Sequence, residues 1–446
     1  MNTLAIKFCL AIIFLSLNAL NSRDINKKEL AEKVKTEFIH AWNGYKKYAW
    51  GHDDLKPLSK SFHDWYNESL LMSPIDAFDT MVLMGLNKEA SQVKNLIFEK
   101  LSFDKDISVK NFEITIRLLG GLLSAYELDG DRRFLDLAKD LANRLLPAYN
   151  SPTGMPYTYI NLKTGKTKGH VTNPAEVGTS ILEMGKLSKL TGDSIYYLKA
   201  KNALVQIYNR RSETGLVGYA IDIETGEWTD KTASVGCCID SYYEYLLKGA
   251  ILFDDNDLRM MWNNSINSIN KYLADDNYDG LWYGHSDINT GKRTETLYGA
   301  LDAYFAALLA LSGDLKQAEK LQESNFKMWN LYSIEPEELD YSKMKVTQAG
   351  YELRPENIES ACYLYHYTKD EKYLKMGETF LNDLVKYCRT ESGYAALSNV
   401  RTKEKKDEME SFFFAETMKY LYLLFTDDVM DFNKVIFNTE AHPLLK

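Results

Sequence analysis

The chain has 446 residues, 45% hydrophobic and 26% charged, with only 9 prolines. That is ample for a large core, built as one oversized domain or two ordinary ones. A formal net charge of -10 argues against nucleic acid or an anionic membrane surface as the main partner. The 30 Tyr and 7 Trp suit a wet carbohydrate site, but polar-tipped rings suit any core as well.

In chain order, Lys7 precedes an apolar run from Phe8 to Leu17 that ends in small and polar residues at 18–22. The run is too short to span a bilayer and is placed like a signal-peptide core. Residues 1–22 are therefore expected to be a cleaved signal and 23–446 a single domain. The expected location is the secretory pathway: secreted, periplasmic or ER lumen. No later segment is long and apolar enough to cross a membrane, so none is expected to do so after cleavage.

The 5 cysteines show no metal-ligand spacing: Cys9 lies in the signal, Cys237 and Cys238 are adjacent, and Cys362 and Cys388 are scattered. One disulfide is possible, a framework is not. Helix spacing over 28–50 breaks at Gly51-His52-Asp53-Asp54-Leu55-Lys56-Pro57. His52 has no second ligand nearby, which favours a structural role.

The chain then becomes periodic. An apolar helix, a short acidic turn and an amphipathic helix recur. The turns are Asp129-Gly130-Asp131, Thr191-Gly192-Asp193, Asp254-Asp255, Ser312-Gly313-Asp314 and Thr368-Lys369-Asp370. They fall roughly every 56 to 62 residues, longer than the named helix-pair repeats but of that kind. Gly ends the first helix with positive φ and Asp caps the second. Thr164-Gly165, Thr225-Gly226 and Thr290-Gly291 keep the same beat between strand-like runs, which predicts small hairpins decorating one end of each pair.

With helices at Ile75 to Leu86 and Glu410 to Leu424, the pattern gives about seven units in one all-α domain of helix pairs. The first helices of the units, such as Ile116 to Leu123 and Ala306 to Leu311, are apolar nearly all round. An open solenoid would expose them. A ring closed on itself, with amphipathic helices outside, buries them.

The inner helices mostly begin near an acid: Asp76 and Asp79, Glu113, Glu176, Asp240, Glu356 and Glu359, then Glu410 and Glu416. One such start, Leu353-Arg354-Pro355-Glu356-Asn357-Ile358-Glu359, places Pro355 at the first helical position and two acids on one face of the first turn. Alone, such a pair is more often a solvated helix start. In a closed ring, equivalent acids converge on one end of the axis as a funnel of carboxylates. Crowding raises the pKa of some of them, so that one stays protonated while another serves as a base. Glycoside hydrolysis needs that pair of roles. A cation would ease the repulsion, and calcium prefers such oxygens. Phe412 and Glu416 are i,i+4, so a ring and a carboxylate could meet one sugar. Glu113 and Arg117 share that spacing, and the apolar surroundings favour an arginine that orients the acid over a surface ion pair.

At these residues the sequence resembles glycoside hydrolase family 47, the class I α-1,2-mannosidases and their EDEM-type relatives. The matching words include Ala49-Trp50-Gly51-His52-Asp53-Asp54-Leu55-Lys56-Pro57, Phe112-Glu113-Ile114-Thr115-Ile116-Arg117, Asp240-Ser241-Tyr242-Tyr243-Glu244-Tyr245, Leu353-Arg354-Pro355-Glu356, Met409-Glu410-Ser411-Phe412-Phe413 and Asn438-Thr439-Glu440-Ala441-His442-Pro443. They run in family order from about residue 38 to the C-terminus.

The resemblance implies an (α/α)7 barrel and a calcium-dependent, inverting exo-α-1,2-mannosidase that trims high-mannose N-glycans, expected to be a monomer. It implies Ca2+ held by the hydroxyl and carbonyl of Thr439. It matches Glu113 to the acid, Asp240 to a proton relay and Glu356 to the base. It leaves open which of Glu113 and Asp240 delivers the proton. Arg117, Glu176, Glu359, Glu416 and Glu440 are expected around the sugar or the calcium waters, with Phe412 as the stacking ring.

Two departures stand out. Ala300-Leu301-Asp302-Ala303 replaces a His-Leu-x-Cys stretch of processing members, and Cys238 replaces an arginine of ER-type members. These departures leave the preferred mannose branch open. The alternative function is an EDEM-like glycan-binding protein with weak or no hydrolysis, which would keep the funnel but lose an acid or the calcium threonine, and neither is lost here. Isoprenoid cyclisation on a similar toroid would require Asp-rich motifs that Asp53-Asp54 alone does not supply.

Overall fold

The computed structural model describes residues 25–446, so the expected signal peptide lies outside the described residues. Among the described residues seven helices form an outer layer: Lys27–Tyr48, Asn87–Lys100, Arg132–Leu145, Ile195–Asn209, Asn256–Tyr272, Leu315–Asn330 and Glu371–Tyr387. Their buried residues keep helical spacing, as in Phe134, Ala138, Leu141 and Leu145, so one stripe faces inward. The inner layer consists of Met72–Leu83, Thr115–Asp129, Pro174–Thr191, Asp240–Phe253, Leu301–Ser312, Glu356–Thr368 and Phe413–Leu424, with short irregular turns in several. Inner helices such as Asp240–Phe253 and Phe305–Ser312 are buried on almost every side.

The ring closes in two places. The inner helix Met72–Leu83 packs against the last inner segment, Phe413–Thr417, and the first outer helix, Lys27–Tyr48, covers Met418–Leu424. The first helix among the described residues is thus the outer partner of the last, which makes the all-α (α/α)7 barrel expected. No helix among the described residues is long and apolar enough to cross a membrane.

The turn chemistry is local and regular. Gly130, Gly192 and Gly313 end inner helices with φ of 82°, 76° and 93°, and Asp254 and Lys369 adopt the same left-handed conformation without glycine. Asp131, Asp255, Asp314 and Asp370 then cap the outer helices by accepting from backbone N–H groups. Each of the three expected hairpins is present, and Asn161, Asp222 and Asp287 hold the tips by accepting from two backbone N–H groups apiece.

Several helix boundaries differ from expectation, including an end at Leu83 rather than Leu86. Met72–Leu83 starts earlier than Ile75, because buried Asp53 accepts from the N–H groups of Leu70 and Met72 at 2.8 and 3.2 Å and fixes the start from a distance. The last inner helix starts at Phe413 rather than Glu410, through a π turn over Phe413–Thr417. His52 pairs with Asp64 at 2.9 Å, in keeping with a structural role. The four described cysteines are all free thiols.

Candidate active site

Short strands deliver the acids to one end of the barrel. Each three-stranded sheet takes its third strand from the segment just before an inner helix. Ser108–Lys110 pairs with the hairpin strand Tyr159–Asn161 and leads into Asn111–Ile114, which carries Glu113. Val171–Thr172 leads into Pro174–Gly178 with Glu176. Thr232–Ala233 leads into the turn before Asp240, whose N–H donates to the Gly236 carbonyl at 2.9 Å. The hairpins are therefore clamps between neighbouring units, and each clamp sets the height at which an acid enters the barrel.

Glu176 is fixed further: Asn173 caps its N–H at 2.9 Å and the Thr172 hydroxyl donates to its carboxylate at 2.8 Å. Pro355 stands at the N-cap rather than at the first helical position expected for it, so Glu356 opens its helix.

Glu113, Arg117, Glu176, Asp240, Glu356, Phe412, Glu416, Thr439 and Glu440 all line one cavity of about 310 Å³. Below it, a smaller space of about 50 Å³ is lined by Glu359 together with Asp240, Glu356, Glu416 and Thr439. The residues expected to act on the sugar or the cation thus meet at one funnel. Arg117 and Glu416 both stand in π turns, Thr115–Leu119 and Phe413–Thr417, where the widened helix re-aims side chains.

Arg117 gathers one wall. Its guanidinium donates to Glu113 at 3.1 Å and to Ser411 at 3.3 Å, pairs with Glu440, and lies 3.5 Å from Asp76. Phe412 is held between Arg117 and Arg354, whose guanidinium carbons lie 5.7 and 5.8 Å from its ring centre.

The other wall has fewer cations. Burial pushes the Glu356 carboxyl up to about 7 despite Arg354. Burial also takes Glu359 to about 8 against the opposing pull of Lys248. Asp240 and Glu416 rise well above the carboxylate range, first by burial, then through Cys237 for Asp240 and Glu440 for Glu416. Glu440 rises too, because burial outweighs Arg117. One oxygen of Glu356 is buried without a hydrogen-bond partner among the described residues.

Asp76 and Asp79 do not join this funnel, contrary to expectation. Asp76 sits against Arg117, Ser411 and His442 without lining the cavity, and Asp79 meets Lys419 and His442 at 2.7 Å each and Ser124 at 2.9 Å. Burial alone would raise Asp79, but Lys419 and His442 outweigh it and hold the group at about 2. Glu410 also stands outside the cavity wall.

The loop carrying Thr439 plugs the barrel floor. Asn438 donates to the Ile116 carbonyl at 2.9 Å and to Glu183 at 2.8 Å, and Lys419 donates to the Ala441 carbonyl at 2.6 Å. Gly120 and Gly121 admit this loop: a Cβ on Gly120 would lie 2.5 Å from the Asn438 amide, and one on Gly121 3.1 Å from His442.

The fit for a cation is one of oxygen chemistry. Among the described residues no three His, Cys, Asp or Glu side chains form a direct metal-binding group. The small space beside Thr439 is instead faced by carboxylates that burial drives towards protonation, which suits a hard cation reached through water.

Sequence reasoning missed two wall residues. Lys110 bridges Glu176 at 3.0 Å and Glu113 at 3.8 Å, and its place three residues before Glu113 was the available signal. Arg354 lines the cavity and donates to Glu337 with both Nε and Nη2; it was read only as part of a helix start. Glu335, buried and donated to by Asn357 at 2.8 Å, offered no sequence signal at all.

A closed α/α barrel that gathers several carboxylates of unlike environment into one funnel meets the requirement of glycoside hydrolysis for two acids in opposed roles. The profile of glycosyl hydrolase family 47 matches residues 37–446, and the chain belongs to that family. It is similar to alpha-mannosidase I MNS5 of Arabidopsis thaliana, 37% identical over 94% of this chain and 78% of that protein. It is also similar to human ER degradation-enhancing alpha-mannosidase-like protein 2, 36% identical over 93% of this chain and 77% of the relative. Among solved structures, the alpha-1,2-mannosidase from Trichoderma reesei superposes with a TM-score of 0.86 at 28% identity, covering 94% of this chain and 99% of that one.

Proposed function

We propose that the protein is a calcium-dependent, inverting exo-α-1,2-mannosidase that removes terminal mannose from high-mannose N-glycans in the secretory pathway. The observation that carries this is the funnel itself: Glu113, Asp240 and Glu356 line one cavity with Thr439 at its base. The names of the relatives, alpha-mannosidase and alpha-1,2-mannosidase, supply the linkage.

In this mechanism a terminal mannose enters against Phe412, with Arg117 and Glu440 fixing its polar edge. Glu356, ionised, takes a proton from a water that attacks the anomeric carbon. The leaving oxygen receives a proton from another carboxyl of the funnel. Asp240 is the group there that burial keeps protonated, whereas Glu113 sits against Arg117 and Lys110. We therefore assign proton storage to Asp240 and orientation of the aglycone side to Glu113. Thr439 would hold the calcium, with its waters held by Glu359, Glu416 and Glu440. The ion would supply a hard positive charge that binds sugar hydroxyls and lets neighbouring carboxylates ionise.

Proton NMR of a digest tests the stereochemistry. Attack by water on the face opposite the leaving group yields β-mannose first. Initial α-mannose would refute inversion. The second reading, a glycan-binding protein with little turnover, is favoured by the EDEM-type relative. Tight glycan binding without any released mannose would support it.

A further inference from the structure

Cys237 and Cys238 have no part in that mechanism, yet both line the funnel beside Glu176, Asp240 and Arg354. Cys237 is exposed and Cys238 half-buried, while Cys362 and Cys388 are buried. The two sulfurs lie 3.4 Å apart. The turn that holds them is tight: Cys238 has φ of 71°, uncommon for a side chain with a Cβ, and the N–H groups of Ile239 and Asp240 both donate to the Gly236 carbonyl.

We propose that Cys237 and Cys238 form a thiol–disulfide exchange site at the funnel mouth, which takes a small disulfide as substrate and closes into a reversible vicinal disulfide. Only the consequence for glycan entry rests on the mannosidase reading; the exchange chemistry does not.

The nucleophile is Cys237. A hydrogen bond from Cys238 favours its thiolate, burial opposes this, and Tyr219, Arg354 and Lys110 add to the first effect, bringing the thiol down to about 6. Cys238 is pushed up by the same contact. A low-pKa exposed sulfur beside a protonated partner is the division of labour that exchange requires.

The Cys237 thiolate attacks one sulfur of the incoming disulfide. That S–S bond breaks, and the released thiolate takes up a proton as a free thiol. The Cys238 sulfur then loses its proton, attacks Cys237 and expels the second thiol. Two protein thiols are oxidised, one disulfide is reduced to two thiols, and no other oxidant is needed.

The product is easily reversed. Adjacent Cα atoms are about 3.8 Å apart across a trans peptide, closer than ordinary disulfides allow, so the ring is strained and readily reduced. Closing it reshapes a turn that hands directly into Asp240. The mixed disulfide, while it lasts, fills the wall between Glu176 and Arg354.

The test uses the reduced full chain with glutathione disulfide, followed by peptide mass analysis. The peptide containing both residues should lose two hydrogens and regain them with dithiothreitol. Cys238→Ser should instead trap a glutathione adduct on Cys237, with Cys362 and Cys388 untouched. No reaction at this peptide, or lasting adducts on both sulfurs of the unsubstituted protein, would overturn the proposal. Release of mannose by the oxidised protein, taken relative to the same sample after reduction, should fall severalfold. An unchanged ratio would overturn the coupling to glycan entry even if exchange occurs.

Discussion

The barrel buries two neighbouring sets of acids and treats them in opposite ways. Outside the cavity lining, Asp76 and Asp79 are enclosed by His442, Lys419, Arg117, Ser124 and Ser411, and Asp79 is held ionised. Inside it, Asp240, Glu356, Glu359 and Glu416 have too few cations for their number, and burial pushes them towards protonation. The difference separates charge whose partners are built into the fold from charge left underpaired. A paired buried acid is costly to disturb but inert. An underpaired one costs stability until something positive or a proton arrives.

The sharpest way to break this comparison is to change one acid in each set. Glu356→Gln should lower mannose release by about 10³-fold or more, as loss of a general base does, with glycan binding retained. The same variant should melt higher than the unsubstituted protein in chelator above pH 7, because it removes an ionisation the funnel does not favour. Equal loss of binding and turnover would place Glu356 outside the chemistry. Lys419→Met strips the partner from Asp79 and a tie from the Thr439 loop. It should cost about 3–5 kcal/mol in urea unfolding, the usual penalty for orphaning a buried charge.

The pH dependence sharpens the contrast further. For Glu356 and Glu359 the folded pKa, about 7 and about 8, exceeds the unfolded value. Between the unfolded pKa and those values the folded state holds more protons than the unfolded one, so stability falls as pH rises. In chelator the melting temperature should therefore decline from pH 5 to pH 8, and added calcium should flatten that decline. A chelated protein whose stability increases over this range would contradict the unpaired character of the funnel. The smallest effect belongs to a site remote from both sets. Asp255→Ala removes an N-cap and should cost about 1 kcal/mol in thermal or urea unfolding, with activity unchanged.

What could be read from the sequence follows the range of the forces involved. The acidic turns were legible because a left-handed residue and the Asp cap after it act within a few residues, as at Gly130-Asp131 and Gly313-Asp314. The hairpin tips were legible for the same reason. Ring closure followed from apolar helices that had to be covered, and convergence of the acids followed from ring closure.

The failures are non-local. Periodicity placed Asp76 and Asp79 near a helix start, but not on the side that faces Lys419 and His442, hundreds of residues away in sequence. The π turns at Arg117 and Glu416 have no local signature. Asp53 fixes the start of a helix whose first residue lies 19 positions later. Thr439 came only through family resemblance, since a lone threonine near a C-terminus carries no signal of its own; the structure places it against the funnel acids.

The most direct measurement is digestion of a high-mannose oligosaccharide by the purified chain in calcium, in chelator, and after calcium is restored, with product masses followed over time. The account predicts stepwise loss of hexoses in calcium, arrest in chelator and recovery on restoration. Release that persists in chelator would contradict the cation at Thr439, and glycan bound but intact in calcium would contradict hydrolysis itself.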